Sequence, residues 1–422
     1  MNEPTEARIS RTLRVLFRDY DGPPFAIRLW DGTLWRSSPE ADPVCTIRIE
    51  NPHALRTLIV EGSQVALGEA FIHRQIDVDG DLFSVFSVAE HVLAQPLPLR
   101  IRLLRTVTRT VLTLTRSFTH GAIHSPRRDR ESIAYHYDQP VDFFRPWLGP
   151  TLVYSCAYFR SSTDSLDQAQ ENKLELICRK LRLAPGERFL DIGCGWGSLV
   201  LHAASRHGAH AHGITLSRSQ ADVTRQRIQQ SGLDGRASVV LQDYRQLNPV
   251  NGLFDKIASV GMCEHVGLAK LPAYFAIAAR MLQPGGVFLN HGIVRAACTV
   301  PRGHDSFITR YVFPGGELVT LAQIISAAES AGFEIRDVEN LREHYARTLR
   351  CWVAGLRHCE TVVRRHVEET TYRIWLLYMA GCAAAFERGH LGVCQMLLSR
   401  SRNGDSHLPL TREDWYHPSS PG

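Results

Sequence analysis

Residues 25–30, F-A-I-R-L-W, alternate between apolar and polar positions and end at Asp31-Gly32. A period of two predicts a strand, and Asp-Gly predicts a hairpin turn after it. Cys45–Ile49, C-T-I-R-I, repeats the alternation and is expected to join the earlier strand in a small α/β module within residues 1–95. The period then changes. Over residues 98–118, Leu103, Leu104, Val107, Val111, Leu114 and Phe118 fall on one stripe of a helix, with Arg102, Arg105, Arg109 and Arg116 opposite. This pattern predicts a basic amphipathic helix. It has two readings: a helix packed on its domain with a solvated arginine face, or one that meets anionic lipid head groups, each Arg contributing about 1 kcal/mol near such a surface.

Residues 119–132, T-H-G-A-I-H-S-P-R-R-D-R-E-S, read as a polar linker. The expected division is therefore an N-terminal lipid-docking domain over 1–118, the linker over 119–132, and a larger domain over 133–422. From about residue 170, helical and strand patterns take turns. A helix over 171–183 is stopped by Ala184-Pro185-Gly186. Strands follow at 188–192, 211–215, 237–241, 256–260 and 286–291, with helical stretches between them. That rhythm predicts a doubly wound, mostly parallel sheet. Residues 303–400 read as mostly helical and rich in aromatics, and no internal repeat is present.

Composition narrows the picture only in places. The chain has 422 residues, 44% hydrophobic and 22% charged, enough for a sizeable core. Its net charge of +5 is too small to argue for nucleic acid. The charge is local: residues 96–130 hold eight Arg against one acid, Asp129, so this segment carries +7 and the remainder −2. Ten cysteines are scattered with no C-x-x-C pair, so no metal site is expected. The first residues carry acids and no apolar core, and no stretch approaches the length of a spanning helix. A cytoplasmic protein with reduced thiols is expected.

The first chemistry-bearing motif is L190-D-I-G-C-G-W-G197, a strand that runs into a glycine loop and then a helix. Glycines there let a ligand approach the backbone and the helix N-terminal N–H groups. A dinucleotide site would need G-x-G-x-x-G and an acid ending the next strand. Here Gly197 comes one position early, and the next strand ends in Thr215. With D243-Y-R, the strand F254-D-K-I-A and L282-Q-P-G-G-V-F-L289, the order resembles that of class I S-adenosylmethionine-dependent methyltransferases, a Rossmann-like α/β fold.

Four further stretches narrow the resemblance: residues 135–159, containing V-Y-S-C-A-Y-F; G213-I-T-L-S-R-S-Q220; G261-M-C-E-H-V-G267; and F313-P-G-G316 with H344-Y-A-R-T-L-R-C-W352 and Y378-M-A-G-C-A-A-A-F386. Together, over about 135–400, they resemble the cyclopropane-fatty-acyl-phospholipid synthase family. The resemblance implies methyl transfer from S-adenosylmethionine to a cis double bond in an unsaturated phospholipid acyl chain. A bicarbonate ion would then act as the base that closes a cyclopropane ring. It places the bicarbonate cradle at Cys156, Glu264, His291, the backbone of Ile293, and Tyr345. Cys156 would then be a hydrogen-bonding ligand and not a nucleophile. It places the cofactor against Tyr154, Ser155, Gly193, Gly195, Thr215, Leu216, Gln220 and Asp243. A homodimer is also implied, and the basic helix adds an expected transient, peripheral contact with an anionic membrane surface.

Tyr311, Phe313 and Tyr378 are read either as core or as a helical lid over an acyl chain. Cys178, Cys351, Cys382 and Cys394 are read as core, and His265 as packing beside Glu264. The chain departs from the family pattern at two places. Cys263 stands where an aromatic Phe is expected, and Gly292 where Thr is usual. Three alternatives stay open. One is a methylene- or methyl-branched product on the same substrate. The second is a methyltransferase for another unsaturated small molecule. The third is a lipid-binding protein without activity.

Overall fold

The computed structural model describes residues 5–56, 63–94, 139–299, 306–313 and 316–416. The basic amphipathic segment, the linker and the expected boundaries at 118 and 132 lie outside these residues. The chain divides into two compact units: one of 1–123, 302–312 and 368–384, the other of 124–301, 313–367 and 385–422. The first unit thus takes in two segments from late in the chain.

The first unit holds a four-stranded sheet in the order β2-β1-β3-β4, from Phe25–Arg28 (β1), Leu34–Arg36 (β2), Cys45–Ile49 (β3) and Ile76–Gly80 (β4). β1 and β2 are antiparallel and turn at Asp31-Gly32, with Gly32 at φ +89°. β3 runs parallel to β1 and antiparallel to β4. The helix Glu369–Glu387 is fastened to this unit by Arg373. That guanidinium is buried. It donates to Phe71 O (2.7 Å), Ile76 O (3.3 Å) and Asp77 Oδ1 (3.1 Å), and it lies 4.0 Å from the Phe71 ring centroid. Burial pulls the Asp77 carboxyl upward; Arg373 and Arg48 outweigh it and hold the group below its ordinary pKa.

The second unit holds seven strands: Arg188–Ile192 (β5), His210–Thr215 (β6), Ala237–Leu241 (β7), Phe254–Val260 (β8), Leu282–Arg295 (β9), Glu334–Asn340 (β10) and Leu391–Ser399 (β11). Their order is β10-β11-β9-β8-β5-β6-β7. β7, β6, β5, β8 and β9 are mutually parallel, and β11 is antiparallel to both its neighbours. This is the expected doubly wound, mostly parallel methyltransferase sheet. Alternate residues feed two cores: Leu190, Ile192 and Ile257 pack under the helices Leu271–Met281 and Leu321–Ser330, while Phe189, Ala258 and Leu289 pack under Leu166–Leu181 and Ser198–Arg206.

Among the described residues, 303–400 are mostly helical as expected, and they also carry two strands that were not expected, β10 and β11. Two local expectations need correction. The helix expected over 171–183 begins at Leu166, where Ser165 Oγ accepts from Gln168 N, and it ends as Arg182 turns left-handed at φ +51° before Pro185 is reached. Finally, Cys351 is only half-buried, whereas Cys178, Cys382 and Cys394 are buried. Of the three aromatics read as core or lid, Tyr311 and Tyr378 belong to the first unit and Phe313 to the second. Tyr311 donates its hydroxyl to Glu69 Oε1 at 2.7 Å.

Candidate active site

The glycine loop leaves β5 and enters the helix Ser198–Arg206. Gly193, Gly195 and Gly197 all have positive φ (+83°, +54° and +79°), a conformation open to glycine at no steric cost. A Cβ on Gly197 would also overlap the Thr224 methyl group. Arg227 clamps the loop by donating to Trp196 O (2.5 Å) and Ser198 Oγ (3.0 Å). Gly197→Ala is therefore expected to weaken S-adenosylmethionine binding about five- to thirtyfold, since the left-handed backbone costs about 1–2 kcal/mol. Calorimetric titration checks this; an unchanged affinity would show that the loop tolerates a side chain.

A cleft opens at the carboxyl ends of the parallel strands, beside this loop. Seven of the eight expected cofactor residues line it: Tyr154, Ser155, Gly193, Gly195, Thr215, Leu216 and Gln220. Thr215 and Gln220 are joined, with Thr215 Oγ1 2.8 Å from Gln220 Oε1. Asp243 is not in the lining, although Gln242, Tyr244 and Arg245 around it are. Its carboxylate is occupied by both ends of the Arg245 guanidinium (Nε 2.9 Å, Nη2 2.6 Å) and by Arg245 N (2.9 Å).

Two buried ionisable groups face this cleft that sequence reading passed over or left without a role. Lys173 donates to Ser155 Oγ at 3.0 Å, and burial lowers its pKa to about 8 despite Cys156 and Asp191. Asp191 lies at the end of β5 with Oδ1 unpartnered, and burial raises it to about 7 against the pull of Lys173. Lys173 falls on the apolar stripe with Leu174, Ile177 and Leu181. A lysine inside such a stripe was the available signal.

The segment containing Cys156 is held extended by two helices. Gln170 Nε2 donates to Ser155 O (3.0 Å), and Ala157 N donates to Thr348 Oγ1 (3.1 Å) on the helix Arg342–His358. That helix also carries Tyr345. The Tyr154 ring lies 4.9 Å from Trp352, which meets Tyr345 edge-on at 6.0 Å, so a file of rings links the cleft wall to Tyr345. Cys156 is fully buried. Its thiol donates to Ala157 O at 3.3 Å, and burial pushes its pKa far up. A thiol held protonated is a donor and not a nucleophile.

Glu264 sits in the turn Cys263–His265 just past β8. β8 ends at Val260, opposite His291, so the N–H of Ile293 has no ladder partner on that side. Glu264 Oε1 accepts from it at 2.7 Å. The Ile293 N–H that the resemblance aims at an anion is thus engaged by Glu264. The other oxygen, Oε2, is buried without a partner, and burial raises the carboxyl to about 7, offset by the Ile293 bond. His291, on β9, is buried with Nε2 unpartnered; burial, then Lys173 and Lys180, lower it to about 3. Between about pH 4 and 7 the folded protein holds protons on Asp191 and Glu264 that the unfolded chain has lost. Their contribution to stability therefore falls as pH rises through that window.

His265 packs 5.3 Å from the Phe313 ring and lines the cleft. Cys263 and Gly292 are neighbours: a Cβ on Gly292 would lie 3.3 Å from Cys263 Cβ and 3.9 Å from Glu264 Oε2. Cys178, His202 and His207 group their donor atoms within 4.8 Å of one another. Glu175 Oε2 lies 3.0 and 3.1 Å from the two imidazoles and accounts for that arrangement without an ion. Among the described residues no helix is long and apolar enough to cross a membrane.

Comparison with known proteins agrees with this layout. The family described as mycolic acid cyclopropane synthetase matches residues 124–396, and a domain of unknown function matches residues 12–92. A probable fatty acid methyltransferase of Pseudomonas putida is 40% identical over 397 residues, covering 93% of this chain and 96% of that protein. The cyclopropane-fatty-acyl-phospholipid synthase of Escherichia coli K12 is 35% identical over 357 residues, 84% of this chain and 87% of that one. Among solved structures, mycolic acid cyclopropane synthase CmaA1 complexed with SAH and CTAB is 33% identical with a TM-score of 0.60, covering 64% of this chain and 97% of that chain. This chain therefore belongs to the mycolic acid cyclopropane synthetase family, as an S-adenosylmethionine-dependent methyltransferase of the cyclopropane-fatty-acyl-phospholipid synthase type.

Proposed function

We propose that this enzyme methylates a cis double bond in an unsaturated phospholipid acyl chain and closes a cyclopropane ring, with bicarbonate as the base. The observation that carries the reading is a pair of buried, unpartnered polar atoms, Glu264 Oε2 in the turn after β8 and His291 Nε2 on the neighbouring strand β9. Burying such atoms unpaired costs about 1–3 kcal/mol each, so a polar ligand is the expected partner.

The cleft suits the cofactor: the positive-φ glycines Gly193 and Gly195 open its floor, and Asp191 Oδ1 is an orphaned acceptor in its wall. S-adenosylmethionine supplies an electrophilic methyl group there. An alkene is a weak nucleophile, so the chain's task is to align it and exclude water. The Tyr154 ring in the cleft wall, backed by Trp352, offers a face that would stabilise positive charge developing on the acyl chain. The Cys156 thiol, Glu264, His291 and the Tyr345 phenol would hold bicarbonate, which would supply a proton acceptor for the new methyl group. Glu264, near pKa 7, is able to hold or release a proton at neutral pH.

A branched product on the same substrate is the second reading. Cys263 and Gly292 favour it, because two small residues in contact leave room beside the Glu264 carboxyl. Docking on an anionic membrane is proposed from Arg102, Arg105, Arg109 and Arg116 in the sequence.

The test uses the purified protein, S-adenosylmethionine and vesicles of unsaturated anionic phospholipid, in CO2-free buffer with and without added bicarbonate. Mass spectrometry and proton NMR of the acyl chains are expected to show a gain of one CH2 and upfield cyclopropane protons, both dependent on bicarbonate. Exomethylene or methyl-branch signals would establish the second reading. No mass gain would remove bilayer lipids as the substrate.

A further inference from the structure

His291, Gln395 and Glu339 stand in one row across three strands. Gln395 on β11 is directly opposite His291 on β9 and directly opposite Glu339 on β10. All lie on one face of the sheet, under the helix Leu166–Leu181. From that helix Lys180, 1% exposed, pairs with Glu339 and donates to Gln395 Oε1 at 2.8 Å. Gln395 Nε2 then lies 3.2 Å from His291 Nδ1.

Each link leaves one choice to the next. An ammonium has donors and no acceptor, so only the amide oxygen can face Lys180. The amide NH2 must then face His291, and a donor facing Nδ1 requires a lone pair there. We infer that the buried row Glu339–Lys180–Gln395 locks His291 in the tautomer that carries its proton on Nε2, making that unpartnered atom a fixed donor. The inference rests on the reading of His291 as part of an anion site, and it gives that site its polarity. From Nε2 the ring donates to an acceptor, such as a carboxylate or bicarbonate oxygen. It does not take a proton from substrate there. The base that closes the ring must be another group.

Lys180 and Gln395 are thus positioning residues, since neither lines the cleft. A buried lysine beside a neutral imidazole is otherwise costly, and Lys180 has the Glu339 carboxylate and the Gln395 amide as its partners. Imidazolium is disfavoured in this row, because a proton on Nδ1 would confront the amide N–H.

The test is nitrogen-15 NMR of the full chain with labelled histidine, the His291 ring being assigned by its loss in His291→Asn. In the wild type without added bicarbonate, Nε2 is expected in the protonated range and Nδ1 in the lone-pair range. Gln395→Glu replaces the donor facing Nδ1 by an acceptor, so the proton is expected to move to Nδ1. With that donor lost from Nε2, bicarbonate-dependent turnover is expected to fall about 10²-fold, the usual effect of removing one aimed donor. S-adenosylmethionine affinity is expected to stay unchanged. Gln395→Asn and Lys180→Arg serve as conservative companions that keep the polarity of the row. A wild-type spectrum with the proton on Nδ1 overturns the inference, whatever the variants do. So does a folded Gln395→Glu protein that keeps it on Nε2. Failure of the bicarbonate reading looks different: the Nε2–H signature persists while wild-type turnover ignores bicarbonate.

Discussion

Glu264→Gln is expected to lower turnover by about 10²–10⁴-fold, the range of a lost general acid–base group, with S-adenosylmethionine affinity unchanged. The substitution keeps the shape of the side chain and an oxygen for the Ile293 N–H, now 2.7 Å from Oε1. It removes the ability to gain or lose a proton at Oε2. That ability is what burial has tuned, since the carboxyl is raised to about 7 and populates both forms at neutral pH. Glu264 is also outside the cleft lining, so cofactor binding has no reason to change. Single-turnover rates at saturating cofactor, measured from pH 6 to 8, are the check. The wild type should show an inflection near 7 that the variant lacks. Activity within tenfold of wild type would remove Glu264 from the chemistry.

Arg373→Ala is expected to destabilise the first unit by about 3–5 kcal/mol, the usual result of deleting one partner of a buried ion pair. Two backbone carbonyls, Phe71 O and Ile76 O, lose their donor, and Asp77 loses the cation that offsets its burial. The side chain also covers the Phe71 ring at 4.0 Å. Urea unfolding followed by probes in the first unit measures the effect. A loss below about 1 kcal/mol, typical of exposed pairs, would mean that the helix is held by apolar packing instead.

The parallel strands were legible because each is a short apolar run bounded by turn residues. Arg188–Ile192 and Ala237–Leu241 carry the boundaries expected of them. β11 was missed although Leu391–Ser399 is a nearly continuous apolar run of strand length, the mark of a buried central strand. Helical neighbours on its N-terminal side biased the reading. β10, E-I-R-D-V-E-N, is an edge strand, and its polar residues left little period to find. The cofactor cleft was readable because a glycine loop after a strand has few other uses. Lys180 and Gln395 were not, since a lysine in a helix and a glutamine in a strand read as solvated until the register sets them against His291. Asp243 stands apart from the cleft lining for a related reason: position suggested a ligand, while Arg245, two residues away, holds the carboxylate.

The interleaved first unit also has a history in time. Asp77 and Arg373 are 296 residues apart. At ordinary synthesis rates of about 5–20 residues per second, Asp77 leaves the ribosome about 15–60 s before its partner. The N-terminal sheet therefore emerges early and waits, its acid unpaired and the surface meant for the helix Glu369–Glu387 uncovered. The methyltransferase sheet waits too, since β11 sits between β9 and β10 and is the last of its strands to be made. Both units are completed only after residues 368–399 have emerged, so nascent chains short of that length are the ones that most need a chaperone.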